Sequence, residues 1–257
     1  MDSKRLARIL GRVSITGLFA FSLGLAACGA VGGGNTGGGT VCIATDFPVS
    51  GTDGSEGIPA QNGVELAVSK ASLHGNYKLQ LKKFDDAVNG AHNATQGATN
   101  LTKMVGDSCV VAAAGPFNSS VAGAEIPIAS ANGLALISPS NTNPGLTLQQ
   151  YAQTYGFQFD KLHPAGKPEA YFRVCANDVA QGKEVAKLAT EAGLKKAYLV
   201  DDSEPYGKGL ADFFEQSFTA SGGTVIDTGA ARDEISANNT TNLGSLADKI
   251  KQAAPEV

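Results

Sequence analysis

Small polar residues follow two buried apolar runs of the sequence and carry the chemistry most easily read from this chain. The apolar run at 110–115 leads into PFNSS (116–120), and the run at 134–138 leads into PSNTNP (139–144). Loops that follow successive parallel strands meet at one edge of the sheet. Hydroxyl and amide groups there can hold a small polar molecule by hydrogen bonds, but a serine without a neighbouring base is not a nucleophile.

Ser119 and Ser120 stand where the next helix should begin. The free backbone N–H groups of a first helical turn and the helix dipole favour an anion, such as a carboxylate. A serine in this place is also a common helix N-cap, which is a purely structural role. The spacing alone leaves both interpretations of Ser119 open.

The elements that would position these loops alternate between apolar runs and amphipathic segments. Strands are predicted at 41–47, 77–84, 109–115, 134–138, 171–175, 195–202 and 224–229. Helices are predicted at 59–72, 93–105, 119–132, 179–192, 206–220 and 241–253. Such alternation predicts an α/β protein with parallel sheets and helices on both faces. Residues 148–170 break the pattern and are predicted to be a surface excursion.

The first 27 residues have the features of an export signal. Four basic residues precede an apolar stretch at 13–27 that is short for a membrane span. The run LAAC (25–28) resembles a bacterial lipobox, in which Cys28 becomes the acylated first residue of the mature protein. A plain signal peptide with an incidental cysteine is the alternative. The glycine-rich residues 28–40 are predicted to be a flexible tether.

Export would place the remaining cysteines where disulfides persist. Cys42 and Cys109 begin the first and third predicted strands, which are neighbours in a doubly wound sheet of order 2-1-3. Their starts could lie close enough for a disulfide, but the geometry required is strict, so bridged and free states both stay open. Cys175 would then be a buried free thiol. No cysteine spacing indicates a metal site.

Composition and motifs exclude several function classes. The formal charge is −4 and no basic cluster follows the first twelve residues, which argues against nucleic acid as a partner. The aspartate pairs at 85–86 and 201–202 look like the paired carboxylates of an acid–base site. Adjacent strand residues point to opposite faces, however, so we interpret these pairs as turn residues at strand ends. No enzyme, catalytic residue or cofactor is predicted. The three histidines have no acid–base partner at useful spacing: His74, His92 and His163.

Five segments together resemble the periplasmic substrate-binding proteins of ABC transporters for branched-chain amino acids, of the type I, two-lobed kind. The resemblance runs from about residue 41 to residue 257. The segments are SGTDGSEGIPAQNGVELA (50–67), GPFNSSVA (115–122), LISPSNTNPGLT (136–147), YFR with ND-x2-QG (171–182) and DDSEPYGKGLADFF (201–214).

This resemblance implies a type I periplasmic-binding-protein fold, with two doubly wound parallel-sheet lobes that close on a hinge around a ligand. Lobe 1 would span 41–170, including the excursion at 148–170, and lobe 2 would span 171–257. The family's later second-lobe strands have no counterpart in the sequence, so a C-terminally truncated protein with an incomplete second lobe is predicted. Since binding depends on closure of both lobes, this chain alone is expected to bind weakly or not at all.

The resemblance also implies which residues contact the ligand in lobe 1. Asn118 and chiefly Ser119 would hold the α-carboxylate. Part of the amino group would be held by Ser140, Asn141 and Thr142, through the carbonyl of Ser140 and the hydroxyl and amide of Thr142.

Three further positions concern lobe 2 and the ligand's side chain. Tyr206 would close over the ligand from the second lobe. Asp178 is a weaker candidate, whose alternative role is a helix N-cap. Glu56 stands where the family usually has an aromatic residue against the ligand's side chain. If Glu56 points into the cleft, it favours a positive or hydrogen-bonding side chain; if it faces solvent, it says nothing about the ligand.

The resulting hypothesis is an extracytoplasmic solute-binding protein. It would capture an amino acid, an amide or a similar small polar ligand and deliver it to the permease subunits of an ABC transporter. It would be a monomer, lipid-anchored at the outer face of the cytoplasmic membrane or in the periplasm. The alternative is a ligand-sensing receptor domain of the same fold without a transport role.

Overall fold

The computed structural model describes residues 38–229, 232–235 and 242–257. The predicted signal at 1–27, the lipidation candidate Cys28 and most of the predicted tether lie outside these residues. Over the described ranges, no helix is both long and apolar enough to cross a bilayer.

Eleven strands and eight helices alternate along the described part of the chain. The strands are β1 (Gly38–Phe47), β2 (Asn76–Asp85), β3 (Ala87–Val88), β4 (Ala91–His92), β5 (Val110–Ala114), β6 (Ala135–Ser138), β7 (Tyr171–Arg173), β8 (Lys196–Ala197), β9 (Val200–Asp201), β10 (Thr224–Val225) and β11 (Asp233–Glu234). The helices are α1 (Gly54–Lys70), α2 (Ala94–Val105), α3 (Ser119–Asn132), α4 (Gln149–Ala152), α5 (Phe159–Leu162), α6 (Asp178–Glu191), α7 (Pro205–Ala220) and α8 (Leu243–Ala253). Two 3-10 turns lie at Pro144–Leu146, before the predicted excursion, and at Gln153–Tyr155, within it.

A five-stranded parallel sheet of order β2-β1-β5-β6-β7 forms the larger core. This order confirms the predicted arrangement in which the first strand lies between the second and the third. Apolar side chains of the sheet pack against α2 and α3, including Leu101, Ile126 and Leu136. The strand order reverses between β1 and β5, so the crevice beyond their carboxyl ends is where this kind of sheet holds ligands.

The second part of the chain forms two short parallel pairs, β8–β10 and β9–β11, and a separate apolar cluster around Phe214 and Phe218. The single strand predicted at 195–202 is divided into β8 and β9. Tyr198 N–H donates to the Val257 carbonyl at 2.9 Å, and Leu199 N–H donates to a carboxylate oxygen of Asp227 at 3.0 Å. These bonds replace sheet pairing at the two residues between β8 and β9.

The starts of two elements and the sheet position of one strand differ from the sequence-based prediction in ways that affect the site. β1 begins at Gly38, where the sequence predicts a tether, because residues 38–40 pair with 76–78 of β2. Helix α1 begins at Gly54 instead of residue 59, since the N–H groups of Glu56 and Gly57 donate to the Asp53 carbonyl at 3.0 and 3.1 Å. β7 pairs with β6 as the edge of the first sheet, although the sequence analysis places it at the start of lobe 2.

A disulfide joins Cys42 of β1 to Cys109, the residue before β5. The two Cα atoms lie 5.1 Å apart, because β1 and β5 are neighbours and the Cys42 N–H donates to the Cys109 carbonyl at 2.6 Å. Cys175 is a free thiol and is half-buried, and burial raises its pKa. The bridge closes a loop with a sequence separation of 67 residues that includes β2 and α2.

Three carboxyl groups are fully buried beside the same sheet, at Asp46, Asp86 and Glu125. Asn100 donates to a carboxylate oxygen of Asp46 at 2.9 Å, and Glu125 lies beside Asp46. Burial raises the pKa of Asp46 to about 6 and that of Asp86 to about 8, and it raises the pKa of Glu125 well above its usual value. The carboxyl oxygens of Asp86 make no hydrogen bond with the described residues.

Loss of the disulfide should destabilise the folded chain. In the double variant Cys42→Ala and Cys109→Ala, the unfolded chain regains the freedom of a long loop, so the free energy of unfolding should fall by about 2–4 kcal/mol. Urea unfolding measures this change, with Cys175→Ala as the control that leaves the bridge intact. A double variant as stable as the control would contradict the role given to the bridge.

Replacing Asp86 should stabilise the protein in a pH-dependent way. The raised pKa means that the folded chain holds a proton that the unfolded chain loses, so stability is lost as pH rises from about 4 through about 8. Asp86→Asn removes this penalty, whose upper bound is about 6 kcal/mol. Urea unfolding should show a large gain at pH 8 and little gain at pH 4. Exposed Asp248→Asn is the control, and an equal gain for Asp86→Asn at both pH values would contradict the argument.

Candidate functional site

The loops after β5 and β6 meet at the carboxyl edge of the sheet, as the sequence predicts. The fully buried Ser138 hydroxyl donates to the Pro116 carbonyl at 2.8 Å and accepts from the Asn141 N–H at 2.9 Å. The Phe117 carbonyl accepts from the Ser140 hydroxyl at 2.7 Å and from the Asn141 side-chain amide at 2.8 Å. The two loops are therefore cross-linked by hydrogen bonds.

Gly115 brings the first loop close to β1. Its φ is +133°, and a Cβ at this position would lie 2.3 Å from the Asp46 carbonyl oxygen. Any side chain would therefore clash with backbone in addition to straining φ. Glycine is required for the turn that leads from β5 to the start of α3.

Strand β7 holds the second loop from the side. The Arg173 guanidinium donates to the carbonyls of Asn141 and Asn143 at 3.0 and 2.9 Å, and also to the Thr147 hydroxyl. The Tyr171 hydroxyl donates to the side-chain oxygen of Asn141 at 3.0 Å. Sequence reasoning missed Arg173, whose only signal is a basic residue at the carboxyl end of a short strand.

The side chain of Asn141 positions the loops through hydrogen bonds within the protein. It is fully buried, its side-chain nitrogen donates to Phe117 and its side-chain oxygen accepts from Tyr171. Both ends of the amide are occupied, so the structure does not bring this side chain to the other predicted contact residues. A polar residue type in a loop does not reveal whether it faces ligand or protein.

A cavity of about 250 Å³ opens between these loops, the start of α1 and the start of α7. Every predicted ligand contact except Asn141 and the weaker candidate Asp178 lines it, together with Phe117, which the sequence analysis did not identify. The lining residues are Glu56, Phe117, Asn118, Ser119, Ser140, Thr142 and Tyr206.

Two polar atoms of this lining are buried without a hydrogen-bond partner among the described residues. They are the hydroxyl oxygen of Thr142, a residue only 9% exposed, and the side-chain oxygen of Asn118. Asn118 is the N-cap of α3, but its side chain makes no capping hydrogen bond. Ser119 is the first helical residue, and its hydroxyl accepts from the Asn143 N–H at 3.3 Å. The N-cap interpretation of Ser119 is therefore wrong, and the first-turn N–H groups of α3 have no side-chain cap from Asn118.

Asp178 lies behind Thr142 and outside the lining. It is the first residue of α6, whose N-cap is Asn177, so the N-cap interpretation of Asp178 is wrong. Its N–H donates to the Thr142 carbonyl at 2.9 Å, and its side chain is fully buried. Burial raises the pKa of Asp178 to about 6. The Thr142 hydroxyl, which lies near this carboxyl without the geometry of a hydrogen bond, and the Arg173 guanidinium offset part of this rise.

Helix α7 reaches the second loop through its first turns. The side-chain amide of Asn143 donates to the Pro205 carbonyl at 2.5 Å, and a Cβ at Gly209 would lie 2.7 Å from a carboxyl oxygen of Asp178. Glycine thus permits α7 to approach α6. The approach places Tyr206, which is 39% exposed, at the mouth of the cavity, where Gln181 donates to its hydroxyl at 3.4 Å.

Glu56 lines the cavity and is nevertheless exposed to solvent. The sequence left open whether Glu56 points into the cleft or faces solvent, and the structure combines the two. The reason is that α1 begins earlier than predicted and carries Glu56 in its first turn, at the edge of the cavity. An acidic residue there is also favoured by the helix dipole, independently of any ligand.

Comparison with known proteins agrees with this fold. A family model described as "Periplasmic binding protein" matches residues 40–257. The chain belongs to the periplasmic binding protein family. A curated relative is the Leu/Ile/Val-binding protein homolog 2 of Brucella abortus, 30% identical over 193 residues that cover 74% of this chain and 46% of the relative.

Two solved structures of transporter substrate- and solute-binding proteins resemble this one. The branched-chain amino acid transporter substrate-binding protein LivJ of Streptococcus pneumoniae, in complex with isoleucine, matches with a TM-score of 0.64 and 25% identity, over 82% of this chain and 53% of its own. A solute-binding protein of an ABC transporter from R. palustris, in complex with benzoate, matches with a TM-score of 0.68 and 24% identity, over 84% and 54%. The chain spans about half the length of the relatives it matches.

Arg173 should be needed to hold the second loop. Arg173→Met leaves the Asn141 carbonyl with only the Cys175 thiol and the Asn143 carbonyl with only the Leu146 N–H, each at 3.3 Å. Loss of the guanidinium bonds should lower the free energy of unfolding by about 1–3 kcal/mol. Arg173→Lys keeps one donor group without the planar fork and should lose less. Urea unfolding with hydrogen exchange of residues 139–147 measures both effects. Unchanged exchange in Arg173→Met would show that the guanidinium does not hold this loop.

Proposed function

We propose that this protein is an extracytoplasmic solute-binding protein that captures an amino acid or a similar small polar ligand in the cavity between the two loops and α7. The observation that carries the proposal is the buried Thr142 hydroxyl, which lies near the Asp178 carboxyl but completes no hydrogen bond within the described residues. Thr142 lines the cavity beside the start of α3. Leaving a buried polar group without a hydrogen bond costs about 1–3 kcal/mol, and a polar ligand removes that cost.

The start of α3 supplies the site for a carboxylate. Ser119 and the first-turn N–H groups provide donors, and the positive end of the helix dipole favours a negative charge. Ser140 and Thr142, on the opposite loop, supply oxygen atoms that suit the amino group of the same ligand. Tyr206, at the start of α7, covers the mouth of the cavity. We expect α7 to move toward the loops after β5 and β6 when the ligand binds.

The named relatives support an amino acid as the ligand. The Brucella abortus relative is named for leucine, isoleucine and valine, and the LivJ structure holds isoleucine. These ligands share the carboxylate and the amino group for which the present cavity has partners. We do not extend the description "branched-chain" from the relatives to this protein, because the carboxylate of Glu56 in the cavity lining does not suit an aliphatic side chain.

We place the protein outside the cytoplasmic membrane, where it would work as a monomer. Cys28 would carry the lipid anchor, and the tether would separate the anchor from β1. The loaded protein would deliver its ligand to the permease subunits of an ABC transporter. No enzymatic step and no cofactor are part of this proposal.

The test compares amino acids with their carboxamides. Thermal unfolding of the whole chain should shift upward with rising concentration of L-isoleucine or L-lysine, and far less with the corresponding carboxamides, which lack the carboxylate. Ser119→Ala and Thr142→Val should each weaken binding of the responding amino acid by about tenfold, as expected for one lost hydrogen bond to a charged group. Binding is measured by calorimetry.

Ser120→Ala is the matched control, because Ser120 is adjacent to Ser119 but does not line the cavity. It should bind like the unchanged chain. Equal binding by all three variants, or equal shifts with acids and carboxamides, would place the ligand elsewhere and overturn the proposal.

A further inference from the structure

A second cavity of about 320 Å³ continues from the first. The two cavities share Glu56, Asn118 and Tyr206, so a ligand seated against α3 can extend from one into the other. The remaining lining residues of the second cavity are Thr52, Asp53, Ser55, Ala91, His92, Asp202 and Glu204.

Four carboxyl side chains from two separate segments converge on this second cavity. Asp53 and Glu56 come from the start of α1, and Asp202 and Glu204 come from the loop before α7. Neither lysine nor arginine lines either cavity. The second cavity therefore presents a strongly negative lining on both of its sides.

His92 is the one basic side chain in this lining, and it is engaged with Asp53. Its ring Nδ1 lies 2.6 Å from a carboxylate oxygen of Asp53, and its backbone N–H donates to the same oxygen at 2.9 Å. Burial acts to raise the pKa of Asp53, but these hydrogen bonds outweigh it and the net pKa is lowered. His92 thus pairs with one carboxylate and leaves the other three.

The other three carboxylates differ in how far they are satisfied within the protein. One oxygen of Asp202 accepts from the Glu204 N–H at 2.9 Å. The carboxylates of Glu56 and Glu204 make no hydrogen bond or ion pair with other residues in the described ranges. Lys208, on the next turn of α7, pairs with Glu234 at 3.4 Å and does not line the cavity.

The buried Thr142 hydroxyl is an observation, separate from the carboxylates, that favours binding of a polar ligand in this cleft. It is nine-tenths buried, lacks a partner and lines the first cavity, while the unpartnered oxygen of Asn118 belongs to a residue that lines both. The polar groups that suit a carboxylate and an amine lie in the first cavity. The end of the ligand that carries its side chain therefore points toward the carboxylates of the second.

We propose that the ligand is an amino acid with a cationic side chain, whose positive group is held by Glu56, Asp202 and Glu204. The proposal rests on the function proposed above and names the substrate class of that same site. A cation gains from three carboxylates on converging sides. A leucine-like side chain would instead remove water from carboxylates that it cannot pair, which disfavours branched-chain ligands.

The test uses L-lysine and L-norleucine, which have the same aliphatic chain and differ in the terminal ammonium group. Calorimetry on the whole chain should show that L-lysine binds at least about tenfold more tightly than L-norleucine, and that this ratio shrinks as salt is added. In the double variant Glu56→Gln and Glu204→Gln, L-lysine should fall to the affinity of L-norleucine, which itself should not weaken.

The matched control is Glu184→Gln with Glu191→Gln, which removes two carboxylates from the exposed surface of α6. It should keep the preference for L-lysine. L-norleucine could instead bind as tightly as L-lysine or more tightly, and lose affinity in Ser119→Ala. That result would overturn the proposed preference for a cationic side chain and leave the proposed function standing. The proposed function requires that this chain bind measurably, even if weakly, so binding of neither amino acid would overturn both proposals.

Discussion

The hydrogen bonds between the loops after β5 and β6 are the constraint on which the rest of the site depends. Ser138 and Asn141 are fully buried, and together they satisfy the carbonyls of Pro116 and Phe117. Each such buried group would cost about 1–3 kcal/mol if left without a partner, so the two loops have one favourable arrangement. That arrangement directs Ser119 of one loop and Thr142 of the other toward a common cavity.

The charges around this cavity are ordered from one end to the other. The start of α3 offers N–H donors and the positive end of a helix dipole, whereas the starts of α1 and α7 carry carboxylates. The two cavities meet at Tyr206 and Glu56, so a molecule with a negative head and a positive tail matches the cleft along its length. Polarity of this kind selects ligands mainly by penalising the wrong charge at each end.

Much of the fold could be predicted from the sequence, because apolar periodicity depends on burial alone. Helix α3 has its predicted bounds of 119–132, the first three predicted strands have the predicted order 2-1-3, and six of the predicted contacts line one cavity. Features set by single backbone hydrogen bonds could not be predicted, such as the start of α1 at Gly54. The sequence also could not predict that Asn141 bonds to Tyr171 inside the protein, or that Asn177 and not Asp178 caps α6. Neighbouring polar residues of similar type are equally suited to these positions.

The most direct test of the central claim, that the two cross-linked loops form one ligand site, is an NMR titration of the ¹⁵N-labelled chain with L-lysine. This measurement detects weak as well as tight binding. The account predicts that the amide signals of Ser119, Ser120 and Thr142 shift together along one saturation curve. Signals of both loops that stay fixed while amides elsewhere respond, or that do not shift at all, would contradict it.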